Sequence, residues 1–152
     1  MRWKMFRANQ QGFTLMELII TMVIIAILTA IAIPNYTAYI QRSNRSEARN
    51  MLLEAATWME RWRTERGLYG TPGAPTTPPA AFPFTQVPAL PATAKYTIAA
   101  PTIAALGIGY AITATAVGVM ATDVCSTLTV TETGARNFTT GGGGTQEICW
   151  NR

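Results

Sequence analysis

An apolar run near the N-terminus most constrains what this chain can fold into. Residues 12–34 read GFTLMELIITMVIIAILTAIAIP, a largely apolar segment with a single charged side chain, Glu17. A helix rises about 1.5 Å per residue, so a run of this length spans roughly 30 Å, the thickness of the hydrocarbon core of a bilayer. The sequence therefore predicts a membrane-spanning helix with an acidic residue close to its start.

A short basic segment precedes this run. Residues 1–12, MRWKMFRANQQG, contain three basic residues and no acid. A secretory signal peptide is cut after its apolar segment, at a small-residue site, and the segment is lost. Here the candidate cut lies before the apolar segment, between Gly12 and Phe13, so we expect the apolar helix to stay in the mature chain.

The Gly-Phe junction, Glu17 and Pro34 together resemble the class III signal of the type IV pilins and their pseudopilin relatives. Counted from Phe13, Glu17 is the fifth residue and Pro34 the twenty-second, which is the spacing of that family. The resemblance implies that a membrane peptidase cuts after Gly12 and methylates the new amine of Phe13. Gln11 departs from the family pattern, because Lys or Arg often precedes the glycine.

Composition argues against an enzyme and against a basic surface for nucleic acid. The chain has no histidine, the commonest general base and metal ligand, and its eight acids are scattered. Removing residues 1–12 takes away three of the twelve Lys and Arg, which leaves 9 − 8 = +1. Beyond residue 66 the charges balance, with three basic and three acidic residues: Lys95, Arg136, Arg152, Asp123, Glu132 and Glu147. We expect no catalytic residue, no metal and no cofactor.

The helical pattern continues beyond Pro34. Residues 35–66 contain no glycine or proline, and their apolar side chains recur at intervals of three and four, as in a helix with one packed face. Gly67 is suited to follow the last turn. The sequence predicts one helix of about fifty residues, apolar over 13–34 and amphipathic over 35–67, with a kink or loosening at Pro34.

The rest of the chain predicts a loop and a small sheet. Residues 68–94 contain seven prolines, which favours an extended surface loop. Segments 95–99, 108–117 and 126–131 are β-branched or alternate with period two, and predict an antiparallel meander. We expect an α+β fold, in which residues 95–152 form the sheet and a flexible glycine-containing tail.

This order of elements is also that of a type IV pilin, and particular segments are similar to the PilE-like minor pilins. They are residues 42–62 (RSNRSEARNMLLEAATWMERW), the Gly67-Leu68-Tyr69 triplet and the Cys149-Trp150 pair. With the head outside the cytoplasm, Cys125 and Cys149 should form a disulfide, which closes a loop and contributes roughly 3 kcal/mol in the chain-entropy model.

Glu17 has two interpretations. Thr14-Leu15-Met16-Glu17 fits a capping box, in which the glutamate satisfies the N-terminus of its own helix. The family resemblance instead implies that Glu17 pairs with the free amine of Phe13 in a neighbouring subunit. The Gly-Phe junction directly before it favours this assembly role, and the resemblance adds Pro34 as a residue near which the helix loosens during packing.

Two further groups of side chains on the second half of the helix carry expectations. Trp58, Met59 and Trp62 should pack on the sheet, because aromatic and methionine side chains at helical spacing are most often core. Arg42, Arg45 and Arg49 (positions i, i+3, i+7) should form a solvated face or one that meets lipid headgroups. Contact with an acidic neighbour or with DNA is the alternative for these arginines.

The function implied is structural. The resemblance implies a pilin, most like a minor pilin, that inserts once in the inner membrane with its N-terminus cytoplasmic and its head periplasmic. Its partners would be the prepilin peptidase, the inner-membrane assembly machinery, lipid and other subunits of an extracellular filament used in adhesion or twitching motility. A DNA-uptake pilin and a type II secretion pseudopilin are the alternatives. The neutral head disfavours DNA, and the dispersed acids Asp123, Glu132 and Glu147 disfavour the calcium site of major pseudopilins.

Overall fold

The structure, a computed structural model, describes residues 12–151. It divides into two compact units between Ala38 and Tyr39. The first contains the apolar segment, and the second, which we call the head, contains everything from Tyr39 onward. Of the predicted leader 1–12, only Gly12 falls within the described residues.

One helix forms most of the first half of the chain. Helix α1 runs over Leu15–Arg66, 52 residues, with Pro34 inside it. It ends where Gly67 adopts a φ of +81°, the left-handed conformation that glycine enters without a Cβ penalty. The long N-terminal helix predicted from the sequence is confirmed, and it is one continuous helix on both sides of Pro34.

A six-stranded antiparallel sheet follows. Its strands are β1 (Gln86–Val87), β2 (Tyr96–Ile98), β3 (Thr102–Ile103), β4 (Tyr110–Ala116), β5 (Cys125–Thr131) and β6 (Arg136–Thr140). Strand β2 pairs with β4 and β4 with β5, so the predicted meander is confirmed. Strand β1 flanks β2 at one edge, β6 flanks β5 at the other, and β3 pairs with β4.

The core of the head lies between α1 and one face of this sheet. On the helix, the fully buried apolar residues Ala48, Leu52, Ala55 and Met59 follow the three-and-four spacing of one face. On the sheet, alternate residues point inward, and they include Ile112, Ala114, Leu128 and Val130. The amphipathic pattern of the sequence therefore identified the helix face that packs.

The expectation that Trp58, Met59 and Trp62 pack on the sheet is confirmed for Met59 and holds in part for Trp58, which is half-buried against the core of the head. Met59 is buried in the core, whereas Trp58 and Trp62 stack on each other with ring centroids 5.3 Å apart. Trp58 also meets Phe82 of the proline-rich segment edge-on, with ring centroids 5.6 Å apart. The Trp62 indole N–H donates to the Gly70 carbonyl at 3.1 Å. These rings hold the proline-rich segment against the helix, since positions 58 and 62 lie beside the buried stripe rather than on it.

The proline-rich segment returns tightly along itself after the helix. Gly70 passes so close to Pro75 that a Cβ at Gly70 would overlap the Pro75 carbonyl. Such a contact admits only glycine at this position without a backbone shift. Within the segment, β1 is a two-residue edge strand, which is the sheet position that a proline-rich chain tolerates.

The C-terminal tail is more ordered than the flexible loop expected from its glycines. Cys125 and Cys149 form the disulfide, with an S–S distance of 2.02 Å. Cys149 lies in a short helical turn, Glu147–Asn151, and Trp150 in the same turn is 5% exposed. The Trp150 indole N–H donates to the Asn137 carbonyl on β6 at 2.9 Å. The tail is therefore held by packing and a hydrogen bond as well as by the disulfide.

Candidate assembly site

The apolar part of α1 has no packing partner within the described residues. Every residue from Leu15 to Ile33 is exposed, and Ile25 and Leu28, for example, are 62% and 61% accessible. Within the described part of the chain, one helix is long and apolar enough to cross a membrane, judged by length and composition. A surface of this size is not stable in water, so the segment must be covered by lipid or protein.

Polar side chains in and just after this segment bond to the helix's own backbone. The Thr21 hydroxyl donates to the Leu18 carbonyl at 2.9 Å, and the Thr29 hydroxyl donates to the Ile25 carbonyl at 2.7 Å. Such local bonds satisfy a hydroxyl without a second chain. The lateral surface offered to a lipid or a neighbouring helix is therefore apolar apart from Glu17.

Glu17 stands near the start of this surface. Its backbone N–H donates to the Thr14 hydroxyl at 3.2 Å, which is the threonine half of a capping box. Among residues 12–151, no hydrogen bond or ion pair involves the Glu17 carboxylate. The carboxylate is thus exposed at the apolar end of the chain and available to a partner. Phe13, two residues before the start of α1, is 83% exposed.

Pro34 lies where the apolar segment gives way to the head. Its ring leaves no N–H to donate to the Ala30 carbonyl. Side chains bond to two other carbonyls nearby, since the Asn35 amide donates to the Ile31 carbonyl at 3.0 Å and the Thr37 hydroxyl to the Pro34 carbonyl at 2.9 Å. Neither bond reaches the Ala30 carbonyl, so this turn of the helix has one backbone hydrogen bond fewer than its neighbours.

Arg45 does not lie on a solvated basic face, contrary to expectation. It is 5% exposed, and its guanidinium donates to the Asp123 carboxylate with an N–O distance of 2.6 Å. Asp123 is itself 1% exposed, and its second oxygen accepts the Cys125 backbone N–H at 3.2 Å. Burial, followed by the charge of Asp123, raises the pKa of the nearby Tyr96 hydroxyl. This ion pair therefore ties α1 to the strand that carries the disulfide.

A second polar cluster lies near the end of α1. The Tyr69 hydroxyl donates to the Glu60 carboxylate at 2.9 Å, and the Tyr110 hydroxyl donates to the same carboxylate at 3.3 Å. Burial is the main cause that raises the pKa of Tyr110, and the charge of Glu60 comes next. Beside this cluster is an open groove of about 400 Å³ with an apolar floor that includes Leu53 and Val130. Two carboxylates line this groove, and Tyr110 bonds to both: its hydroxyl donates to Glu60 and its backbone N–H to Glu132 at 3.2 Å.

The comparisons with known proteins identify the family. A family model of the prokaryotic N-terminal methylation motif matches residues 7–33, which contain the Gly-Phe junction and the exposed apolar segment. A second model, described as type IV minor pilin ComP, DNA uptake sequence receptor, matches residues 34–129. This chain belongs to the type IV pilins. The predicted α+β pilin fold, a long helix packed on an antiparallel sheet, is confirmed.

Several curated pilins are similar to this pilin over its first part. The type IV major pilin protein PilA of Myxococcus xanthus is 42% identical over 69 residues, 45% of this chain and 31% of that protein. The fimbrial protein EcpC of Eikenella corrodens is 53% identical over 47 residues, 31% of each chain. The type IV wide pilus major component PilA4 of Thermus thermophilus is 39% identical over 61 residues, 40% of this chain and 47% of that protein. The chain thus spans 31% to 47% of the length of these relatives.

Solved pilin structures are similar as well. A type IV pilin from Shewanella oneidensis shares 25% identity with a TM-score of 0.46, and the match covers 63% of this chain and 89% of that one. The non-core minor pilin PilV of Neisseria meningitidis shares 15% identity with the same TM-score, covering 70% of this chain and 93% of that one.

Sequence reasoning missed the residues that organise the head of this pilin. Asp123 was counted only among the dispersed acids, although it is the partner of Arg45 across 78 positions. Glu60 was expected only in a weak surface pair with Arg63, whereas it accepts hydrogen bonds from two tyrosines. Within the described residues, no group of three or more His, Cys, Asp or Glu side chains is arranged to hold a metal ion.

Proposed function

We propose that this pilin is a structural subunit of a type IV pilus. The observation that carries the proposal is the exposed apolar segment of α1, which lies within the residues that the N-terminal methylation motif matches. An apolar helix with no packing partner among residues 12–151 is suited to a membrane first and to the core of a filament afterwards. No bond-making chemistry is assigned to the chain.

The proposed maturation begins at the leader. A prepilin peptidase removes residues 1–12 by cutting between Gly12 and Phe13, and the amine of Phe13 is methylated. Residues 13–34 then cross the inner membrane once, with the N-terminus cytoplasmic and the head periplasmic. Assembly machinery in that membrane extracts the subunit into an extracellular filament, which serves adhesion or twitching motility.

Glu17 is the proposed assembly residue within the apolar segment. An ionised carboxylate on an apolar surface costs a few kcal/mol unless it has a partner. The free carboxylate seen here fits the methylated amine of Phe13 in a neighbouring subunit, since that contact neutralises both charges.

Pro34 has the second proposed role, as the turn where α1 loosens when subunits pack. The other regions have supporting roles: residues 35–67 form the packing half of α1, 68–94 the proline-rich loop and 95–152 the disulfide-closed sheet.

The test of this proposal has two measurements on the native protein. Mass spectrometry should find a mature chain that begins at Phe13 with one added methyl group. Filaments sheared from the cells should contain this subunit, and deletion of its gene should reduce or abolish them. A chain cleaved after Ile33, or one absent from purified filaments, contradicts the proposal.

DNA uptake is a second candidate function, because the ComP model that matches residues 34–129 describes a receptor for DNA uptake sequences. The charge distribution is less favourable. Beyond residue 66 the basic and acidic residues cancel, and Arg45 is already paired with Asp123. DNA binding by the full chain in detergent, lost as salt rises, would support this candidate. Mobility of duplex DNA unchanged by the protein at low salt would exclude it.

A further inference from the structure

Helix α1 presents two pairs of oppositely charged side chains in the head. Arg42 and Arg49 form a basic pair and Glu47 and Glu54 an acidic pair, and we call these the basic flank and the acidic flank. The two members of each pair are seven residues apart, about 10.5 Å along the helix. The acidic flank is displaced from the basic flank by five residues, about 7.5 Å along the axis and about 140° around it.

These four charges have no partner of their own. Arg42, Glu47 and Glu54 are exposed, Arg49 is half-buried, and among residues 12–151 none of them makes a hydrogen bond or an ion pair. Burial lowers the pKa of Arg49, and the positive charge of Arg45 lowers it further. The buried Asp123 carboxylate is paired with Arg45 and not with Arg49. Within the described residues the basic flank therefore lacks a counter-ion, and the acidic flank lies on another side of the same helix.

We propose that the acidic flank of one copy docks on the basic flank of the next, with Glu47 against Arg42 and Glu54 against Arg49. The inference rests on the proposed pilus function, because it concerns the contact between neighbouring subunits. The partner is a second copy of this chain, and the argument for it is the matched seven-residue spacing of opposite charges.

The spacing selects one parallel register. Two parallel copies displaced by about 7.5 Å along the helix axis satisfy both charge pairs at once. A displacement of about 3 Å in the opposite direction would bring Glu47 to Arg49 and leave the other two charges unpaired. A displacement of about 18 Å in the first direction would bring Glu54 to Arg42 and leave Glu47 and Arg49 unpaired. An antiparallel pair would also match all four charges. It is excluded here because copies that insert the same apolar segment into one membrane run in the same direction.

The placement of the flanks also determines what repetition of the contact produces. The two flanks lie on different sides of one helix, so the contact is heterologous and each copy keeps a free flank for the next one. A heterologous contact that does not close into a ring generates a helical filament. Exposed ion pairs add little affinity, so their role is to select the register and to reject wrong partners.

Charge reversal in the full-length subunit, expressed in its own cells, tests the pairing. Three variants are compared: R42E/R49E, E47R/E54R and the fourfold exchange R42E/R49E/E47R/E54R. We expect each double variant to reduce the subunit recovered in sheared filaments at least about tenfold, and the fourfold exchange to restore most of it. R61E is the matched control, since Arg61 is an exposed arginine of the same helix, and it should change the yield less than about twofold.

A cross-linking measurement supports the test if a variant fails to accumulate. Two tagged copies are expressed together, one with R42C and one with E47C, and the native disulfide remains intact in each. A disulfide between the two copies is expected for this pair, and none for R42C with E54C, which is the antiparallel combination. Cross-linking of R42C with E54C, or of neither combination, overturns the proposal.

The remaining outcomes separate this inference from the pilus function. Double variants that enter filaments like the wild type overturn the charge pairing and leave the pilus function standing. A loss caused by R42E/R49E that the fourfold exchange does not restore assigns the basic flank to another anion, such as DNA phosphate or a lipid headgroup, and also overturns the pairing. Absence of the wild-type subunit from filaments contradicts the proposed function itself.

Discussion

The two halves of α1 have one backbone conformation and opposite surroundings. Residues 15–33 are exposed on every side, whereas the second half buries one stripe that runs from Arg45 to Met59. The second half is amphipathic and finds its partner in the sheet of its own chain. The first half is apolar all round, which a helix in water cannot sustain. The contrast teaches that the second half serves the stability of the head, and the first half serves contacts outside the chain.

The largest expected effect comes from a substitution in the first half of α1 that leaves the second half unchanged. Replacing Glu17 by valine should lower incorporation into filaments at least about tenfold, because the amine of a neighbouring Phe13 would be left without its counter-charge in an apolar core. Cleavage after Gly12 and the thermal unfolding of the head should not change. Quantitative immunoblots of sheared filaments and of whole cells measure both.

Thr14→Val is the matched control for that prediction, because it removes the hydroxyl that accepts the Glu17 backbone N–H. It should leave incorporation close to that of the wild type. Normal incorporation of Glu17→Val together with poor incorporation of Thr14→Val would assign the pair to helix capping rather than to assembly.

In the second half of α1, the largest expected effect on stability comes from removing one partner of the buried ion pair. Arg45→Ala should lower the free energy of unfolding by about 3–5 kcal/mol, because Asp123 would remain as an unpaired buried charge. Replacing both partners, as in R45M/D123L, should recover most of this loss. Thermal unfolding of the full chain in detergent measures it, and R61A, an exposed arginine of the same helix, should stay within about 0.5 kcal/mol of the wild type. Equal stability of R45A and R61A would contradict the assignment.

The same substitution in both halves sharpens the comparison directly. Leu52 is fully buried and Leu28 is 61% exposed. Leu52→Ala should destabilise the head by about 2–5 kcal/mol, because it leaves a cavity between α1 and the sheet. Leu28→Ala should leave the unfolding of the head unchanged. If both variants shift the melting temperature of the head alike, the two halves do not differ in the way that their burial indicates.

The smallest effect concerns alkaline pH and the head alone. Burial raises the pKa of Tyr96 above its ordinary 10.0, so above that pH the unfolded chain releases a proton that the folded chain keeps. This contribution is fully present below about pH 10 and is lost as the pH rises, at no more than about 1.4 kcal/mol per pH unit for one group. Between pH 9 and 11 the free energy of unfolding should fall less steeply with pH for Tyr96→Phe than for Tyr39→Phe, which replaces an exposed tyrosine. Identical slopes would contradict it.

Local patterns predicted well those elements that depend on local interactions. The long helix and the strands at Tyr96, Tyr110 and Cys125 were predicted because three-and-four spacing and β-branched runs report which face is buried. The strands at Thr102 and Arg136 were missed. Strand β3 has two residues, and β6 carries a polar sequence whose residues are mostly exposed, so neither has a hydrophobic period. They form because neighbouring strands supply backbone hydrogen-bonding partners.

Side-chain placement on a predicted element was less predictable. Arg42, Arg45 and Arg49 share a helix face by spacing, yet Arg45 is buried and the other two are not. The difference arises because Asp123 lies opposite position 45 alone. Trp58 and Trp62 likewise contact Phe82 and Gly70 of the proline-rich segment. In both cases the deciding contact comes from a segment whose position the sequence pattern leaves open.

The sequence by itself determined the apolar segment, its single carboxylate and the Gly-Phe junction before it. These are properties of consecutive residues, and an apolar helix without an amphipathic face needs no tertiary contact to be recognised. The tertiary structure alone decided that Arg45 pairs with Asp123 and that Glu17, Arg42, Arg49, Glu47 and Glu54 stay unpaired within the described residues. Whether a charge finds a partner depends on what folding brings next to it, and a distant residue has no local signature in the sequence.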